Sequence, residues 1–285
     1  MNTRWLLNLV LIAAVIALGV FISSSPDKGS DKPVTRIGGT EIVTVNRIAI
    51  SREDLAYVRL HKTATGKWRM LEPYTVAANK AAINKLLELP KAISHTRFSA
   101  DGRDLDSYGL APEKASLELN EQRYLFGNIE HINKRRYIML NGTVHLTTDL
   151  FYHQLRTAPE HFVSGRLVEE NMTITSLELP GLVLNQTAQG DWAASGEQTQ
   201  RDFSADAITM LLGHWRHKKV TLVDPAEKHD STQMARVTFS DNSVIEYAIV
   251  KTDTELLMVR NDLGLQYHFP VAQAPHLLDL TTDNK

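Results

Sequence analysis

The chain has 285 residues, a length that points to about two domains, and 43% of them are hydrophobic, enough to build real cores. The net charge is -2 with acids and bases mixed along the chain, which argues against the basic face or stripe that nucleic acid requires. There is no cysteine, so disulfides, thiolate nucleophiles and thiolate metal sites are excluded.

The amino terminus carries the first element. Leu6 to Ile22 is an uncharged apolar run interrupted only by Asn8. As a helix it rises about 25 Å, near the lower limit for a hydrocarbon core of about 30 Å. Trp5 and Phe21 stand where interfacial aromatics belong, and Arg4 flanks one side while Ser23 to Lys28 carries no positive excess. The positive-inside rule then places the amino terminus in the cytoplasm and the rest of the chain in the periplasm. A cleaved signal peptide competes with this reading, but the run exceeds the usual apolar region of such peptides. Residues 1–24 are thus expected to be a single transmembrane anchor held in the lipid bilayer through Leu6 to Ile22. Residues 25–40, rich in serine, glycine, proline and paired charges, are expected to be a linker.

From residue 41 the pattern turns to short strands. Ile42 to Val45, Ile48 to Ile50 and Ala56 to Leu60 read as β, and Thr65-Gly66 turns the chain into Trp68-Arg69-Met70-Leu71. From Ala77 to Leu89 the period becomes helical, with Ile83, Leu86 and Leu87 on one stripe and Pro90 as the stop. Asp104 to Pro112 forms a fixed turn, then Ala115 to Leu119 and Tyr124 to Gly127 pair back. Asn141-Gly142 between alternating runs predicts a type I′ hairpin. Leu150 to Leu155 predicts a short closing helix.

The order then repeats. Ile174 to Leu179 and Leu182 to Leu184 restart the strands, and Gly190-Asp191 turns into Trp192. Ser204 caps a helix carrying Ile208, Leu211, Leu212 and Trp215. Ala235 to Phe239 with Val244 to Ile249, and Leu256 to Val259 with Leu265 to Phe269, predict two more hairpins. Matching Ile83-Leu86-Leu87 to Ile208-Leu211-Leu212, and Met139 to Met258, aligns the two halves. The expected class is α+β: a single amino-terminal transmembrane helix, then two tandem, similar antiparallel-sheet-plus-helix domains over residues 41–165 and 166–285.

Certain residues resemble a bacterial family of domains of unknown function, DUF4340. They are Trp68 to Pro73, the helix ending Leu86-Leu87, Asp104-Leu105 followed by Tyr108-Gly109-Leu110-Ala111-Pro112, and Tyr124-Leu125-Phe126-Gly127 before Arg136-Tyr137-Ile138. The likeness spans about Ile42 to Leu280, but the second half lacks the Tyr-Gly-Leu-x-Pro turn. The resemblance implies an anchor, tandem α+β units, an envelope location and an association with ABC-type export or gliding systems. It carries no catalytic residues.

Candidate chemistry is sparse. His214 and His217 are three apart, but a metal needs a third ligand, and Lys218-Lys219 repel a cation. His145, His153 and His161 are evenly spaced across different elements, so the spacing has no geometric meaning. Asp104 and Asp106 share a face if extended, yet read more simply as turn residues capping backbone amides. Ser51 and Ser164 lack any G-x-S-x-G context, and no Gly-rich phosphate loop occurs. Asn141, Asn171 and Asn185 match an N-glycosylation pattern of little meaning in a bacterial envelope. Trp68 and Trp192 suit a core better than a ligand platform. No catalytic residue, metal or cofactor is expected. The expected role is a non-enzymatic envelope scaffold or accessory subunit that binds a protein partner. The alternative is a module binding glycan, lipid or peptide in an apolar cleft between the repeats.

Overall fold

The computed structural model describes residues 12–15, 35–38, 44–200 and 204–280. Contacts divide the chain into Met1–Val34 and Thr35–Lys285. In the first unit residues 12–15 are helical, with Ile12 and Val15 exposed, and the rest of the expected span Leu6 to Ile22 lies outside the described residues. Among the described residues no helix is long and apolar enough to cross a membrane.

The second unit is mostly antiparallel sheet with few helices. Its first sheet holds β1 (Arg47–Arg52), β2 (Leu55–Lys62), β3 (Trp68–Glu72), β4 (Val76–Ala77), β5 (Thr96–Ser99), β6 (Ala115–Leu119), β7 (Gln122–Ile129), β8 (Arg135–Leu140) and β9 (Thr143–Thr148). The strand order is β4-β3-β2-β1-β6-β7-β8-β9-β5. Helix α1 (Lys80–Leu86) packs Ile83 and Leu86 into the core, and α2 (Tyr152–Leu155) follows β9. The second sheet holds β10 (Ile174–Leu179), β11 (Leu182–Gln186), β12 (Trp192–Ser195), β13 (Leu222–Pro225), β14 (Gln233–Phe239), β15 (Val244–Lys251), β16 (Glu255–Arg260) and β17 (Leu265–Pro270). Its order is β12-β11-β10-β14-β15-β16-β17-β13, with helices α3 (Ala205–His217) and α4 (Ala274–Leu278). With β4 set aside, the two sheets run in the same order: three strands, a helix, a closing edge strand, then a four-strand meander. Trp68 and Trp192 each open the third strand of their sheet.

One continuous apolar cluster joins both sheets, from Ile48 and Leu60 through Phe162 and Val168 to Phe239 and Phe269. Period-2 alternation explains the strands. In β8, Arg136, Ile138 and Leu140 point one way, and Tyr137 and Met139 the other. This corrects the match of Met139 to Met258. Ile138 and Leu140 belong to the shared core, as does Met258, whereas Met139 lies on the outer face. An alignment one residue out exchanges the faces.

Local signals set several boundaries. Asn79 caps α1 by accepting from the amides of Ala81 and Ala82. The helix therefore starts later than expected, because Ala77 pairs with Arg69 and Ala78 bridges Val163. Ser204 caps α3 as expected, and the helix continues to His217. Asn141 and Gly142 adopt positive φ of 49° and 73° between β8 and β9, as a type I′ turn requires.

Two expectations near residue 40 change. Ile42 and Val43 lie outside the described residues, and Thr44 and Val45 are not strand. The linker expected over residues 25–40 is docked at its far end. Ile37 is buried and donates to Ala92 O at 3.0 Å, and Gly38 donates to Pro90 O at 2.9 Å. Ile37 supplies an apolar side chain for the core, and Gly38 lets the chain lie against Pro90, where a Cβ would stand 2.6 Å from Pro90 Cβ. The edge strands β4, β5 and β13 had no sequence signal: all are short, and β5 and β13 are held by long-range pairing.

Candidate functional site

A buried carboxylate lies on the strap that joins the sheets. The 3-10 turn Pro159–Phe162 touches α1 and β2 on one side and β13 on the other. The Asn79 amide donates to Phe162 O at 2.7 Å, and the Val220 amide donates to Gly165 O at 3.0 Å. The strap is thus bonded to both halves. Glu160 on this turn is only 6% exposed and accepts a hydrogen bond from the Tyr74 hydroxyl. Burial, reinforced by that carboxylate, raises the Tyr74 pKa.

Arg52, also 6% exposed, donates from Nη2 to Ala56 O at 2.9 Å. Its Nε and Nη1 have no hydrogen-bond partner among the described residues. Burial lowers its pKa, Arg156 adds to that, and Glu160 opposes both. Arg52 at the end of β1 and Glu160 on the strap are both buried, and among the described residues they form no direct ion pair.

Beyond the strap, Arg69 Nη1 reaches both oxygens of Glu169 at 2.7 and 2.8 Å. Arg166 pairs with Glu170 at 3.1 Å and donates to Arg216 O at 3.1 Å. A hollow of 180 Å³ opens here, lined by Arg166, Glu169, Glu170, Met172, Arg216 and His217. It is smaller than a usual ligand pocket of about 300–1,000 Å³, and four of its six lining residues are charged.

A second polar network lies on the outer face of the second sheet. The Glu227 amide donates to Gln266 Oε1 at 3.1 Å, which fixes the orientation of that side-chain amide. His229 Nε2 lies 3.1 Å from the same oxygen and donates to it. Gln266 Nε2 therefore donates to His268 Nε2 at 3.2 Å, leaving His268 Nδ1–H for Glu255, 3.3 Å from each oxygen. Asp224 stands 3.8 Å from His268 Nε2. An imidazole oriented by a carboxylate is part of a general-base arrangement. Here its other nitrogen is taken by Gln266, and the network clasps the segment after β13 over Ala248, Leu257 and Val259.

The residues singled out from sequence are scattered. His214 Nδ1 lies 2.8 Å from His276 O, and its ring meets His276 edge-on at 5.0 Å, while His217 is exposed. His145 is buried with Nδ1 2.9 Å from Ser94 Oγ, whereas His153 and His161 are exposed. Among the described residues no group of three or more His, Asp or Glu could hold a metal ion. Asp104 accepts from the Asp106 amide at 3.2 Å, the expected turn capping. Ser51 lies exposed on β1 and Ser164 is half-buried in the strap, its amide donating to Ala77 O. Trp68 belongs to the core and Trp192 packs against it. The outer network was missed because its members come from three strands and a loop. The one signal was Gln266 and His268 alternating with Leu265, Tyr267 and Phe269 in β17.

Two stretches that carried the family resemblance do meet. The turn Asp106–Tyr108 ends at Gly109 with φ 63°, and Leu110 is buried beneath it. The turn lies on Gly127 of β7: a Cβ there would overlap the Tyr108 carbonyl and stand 2.9 Å from Leu110 Cγ. The Tyr108 ring packs 4.9 Å from Tyr137 and 5.5 Å from Phe98, covering the outer face of the first sheet. No curated protein and no solved structure matches the chain. The model of one family, described as a domain of unknown function (DUF4340), matches residues 68–255, which run from β3 in the first sheet to the start of β16 in the second. With more than half of its length matched across both sheets, the chain belongs to the DUF4340 family.

Proposed function

We propose that the protein is a membrane-tethered component of a bacterial cell envelope that works by binding a protein partner, not by catalysis. Leu6 to Ile22 is its anchor, with the amino terminus in the cytoplasm and the two-sheet body in the periplasm. The partner belongs to an envelope complex of the ABC-type transport kind that the family resemblance points to. One observation carries this reading: an uncharged apolar run stands directly ahead of a body whose two sheets share a single core. A body braced through its interior suits a part that transmits position between a membrane and a partner.

The test is fractionation followed by crosslinking. The full-length protein is expected in the membrane pellet after high-salt and carbonate washes. Crosslinked in intact cells and solubilised in detergent, it is expected to yield a defined complex, with crosslinks mapping to residues after Val34. Recovery in the salt-washed soluble fraction overturns the tether. Isolation from membranes as a lone species overturns the scaffold role.

A further inference from the structure

We infer that one end of the first sheet is a lipid-facing surface, seated in the headgroup region of the bilayer; this rests on the tether proposed above. The sheet has two ends of opposite character. At one end lie the tight turns Asn120-Glu121 and Asn141-Gly142, both polar. At the other end β7 finishes, β8 begins and β9 finishes, with Arg135 opposite Thr148. There the loop after β7 raises Ile132 to 87% exposure, and Leu150, two residues past β9, is 68% exposed. Ile129 and Ile93 are exposed at the same end. Isolated apolar residues on a surface are ordinary, but four at one end of a sheet, three of them on loops, are not.

The loop is built to hold Ile132 out. Glu130 accepts from the Ile132 amide at 2.7 Å and from the Asn133 amide at 2.9 Å. The Glu130 amide donates to Arg135 O at 2.7 Å, closing the loop. These amides hold the Glu130 carboxylate below its ordinary pKa, so the brace persists into acid. Asp149, the acid beside Leu150, is taken by Arg136 at 2.8 Å. The two carboxylates next to the tips are thus bonded within the protein, while Lys134 and Arg135 flank the loop tip. Apolar tips with flanking bases and internally bonded acids suit an interface of headgroups and acyl chains.

The point at which the chain enters the body argues for lipid as the occupant. Thr35 accepts from the Ser94 amide at 2.8 Å. Ser94 lies just before β5, at the level of Thr148, because Thr96 pairs with Leu146 and His95 Nε2 lies 3.4 Å from Thr148 Oγ1. The body therefore receives the preceding chain at the end that carries Ile132 and Leu150. From Ile22, where the apolar run finishes, the stretch to Thr35 reaches about 40 Å even fully extended. The end at which the chain enters the body, at Thr35, is the end that exposes its isoleucines and leucine.

The absence of cysteine makes the test direct. Ile132→Cys, Leu150→Cys and, at the opposite end, Glu121→Cys are each made in the full-length chain. Each is labelled with an environment-sensitive fluorophore and reconstituted in phosphatidylcholine vesicles containing phosphatidylglycerol, with and without nitroxide-bearing lipid. Labels at 132 and 150 are expected to shift to the blue and be quenched, as groups within about 5–10 Å of the headgroup boundary are, while the label at 121 is not. Ile132→Asp added to Leu150→Cys is expected to weaken quenching at 150. If carbonate washing leaves the protein on the vesicles but neither 132 nor 150 is quenched, the lipid-facing surface is overturned and the tether stands. Equal quenching at 121 also overturns it. Loss of the protein to the carbonate wash overturns the tether, and this surface with it.

Discussion

The carbonyl of Tyr108 lies so close to Gly127 that any side chain on the glycine would displace the turn carrying the tyrosine. Gly127 is needed for this approach, not for an unusual φ. Gly127→Ala is expected to destabilise the fold by about 1–3 kcal/mol, because the atom it meets is backbone and cannot swing aside. Gly213→Ala is the control. Gly213 lies inside α3 with nothing within 4 Å of an added Cβ, so the change is expected to stabilise by about 0.5–1 kcal/mol. Denaturant midpoints of the two variants should move in opposite directions.

Arg136 is the most deeply placed charge on the first sheet with a full set of partners. Its Nε and Nη2 donate to the two oxygens of Asp149 at 2.8 Å each, and its guanidinium carbon lies 3.6 Å from the centre of the Tyr152 ring. Asp149→Ala leaves a buried cation without its anion and is expected to cost about 3–5 kcal/mol. Arg136→Met combined with Asp149→Leu should cost less than Asp149→Ala alone. A double variant less stable than the single one would refute this account.

On the outer face of the second sheet, Gln266 joins β17 to the segment bearing Glu227 and His229. Gln266→Leu removes the acceptor for both and is expected to cost about 1–3 kcal/mol. The loss should be local. Amide exchange in residues 226–231 should quicken while α3 exchanges as before. Unchanged exchange there would mean that the network does not hold the segment.

Acid should weaken the fold through one histidine. Burial, with Arg97 second, lowers the buried His145 below its ordinary value of 6.5. Below 6.5 the unfolded chain takes up a proton that the folded chain still refuses. Stability is therefore full above that value and falls as the pH drops through it toward the lowered folded value. Tm followed from about pH 7.5 to about pH 5 should decline, and His145→Gln should decline less steeply. Parallel curves would remove His145 from the explanation.

Much of the architecture was legible because it is written in local periods. Alternation marked β6, β8, β14 and β15, a switch to helical spacing marked α1 and α3, and Asn141-Gly142 marked a hairpin. The site was less legible. Glu160, Tyr74 and Arg52 come from a turn, a loop and a strand end, so no spacing could have joined them. Asp104 and Asp106, which spacing did pair, are occupied with their own turn.

Sequence by itself determined the apolar run, the alternating strands, the helical stripe of Ile83, Leu86 and Leu87, the helix headed by Ser204, and the stretches that place the chain in its family. These depend on neighbours along the chain. Tertiary structure alone decided that the closing strands β5 and β13 pair at the edges, that one core spans both sheets, and that Met139 and Met258 face opposite ways. It also decided that Glu160 is sealed in the strap while Ile132 is held out in the open. Burial is set by what arrives from distant positions, and a one-residue step in a strand exchanges inside for outside.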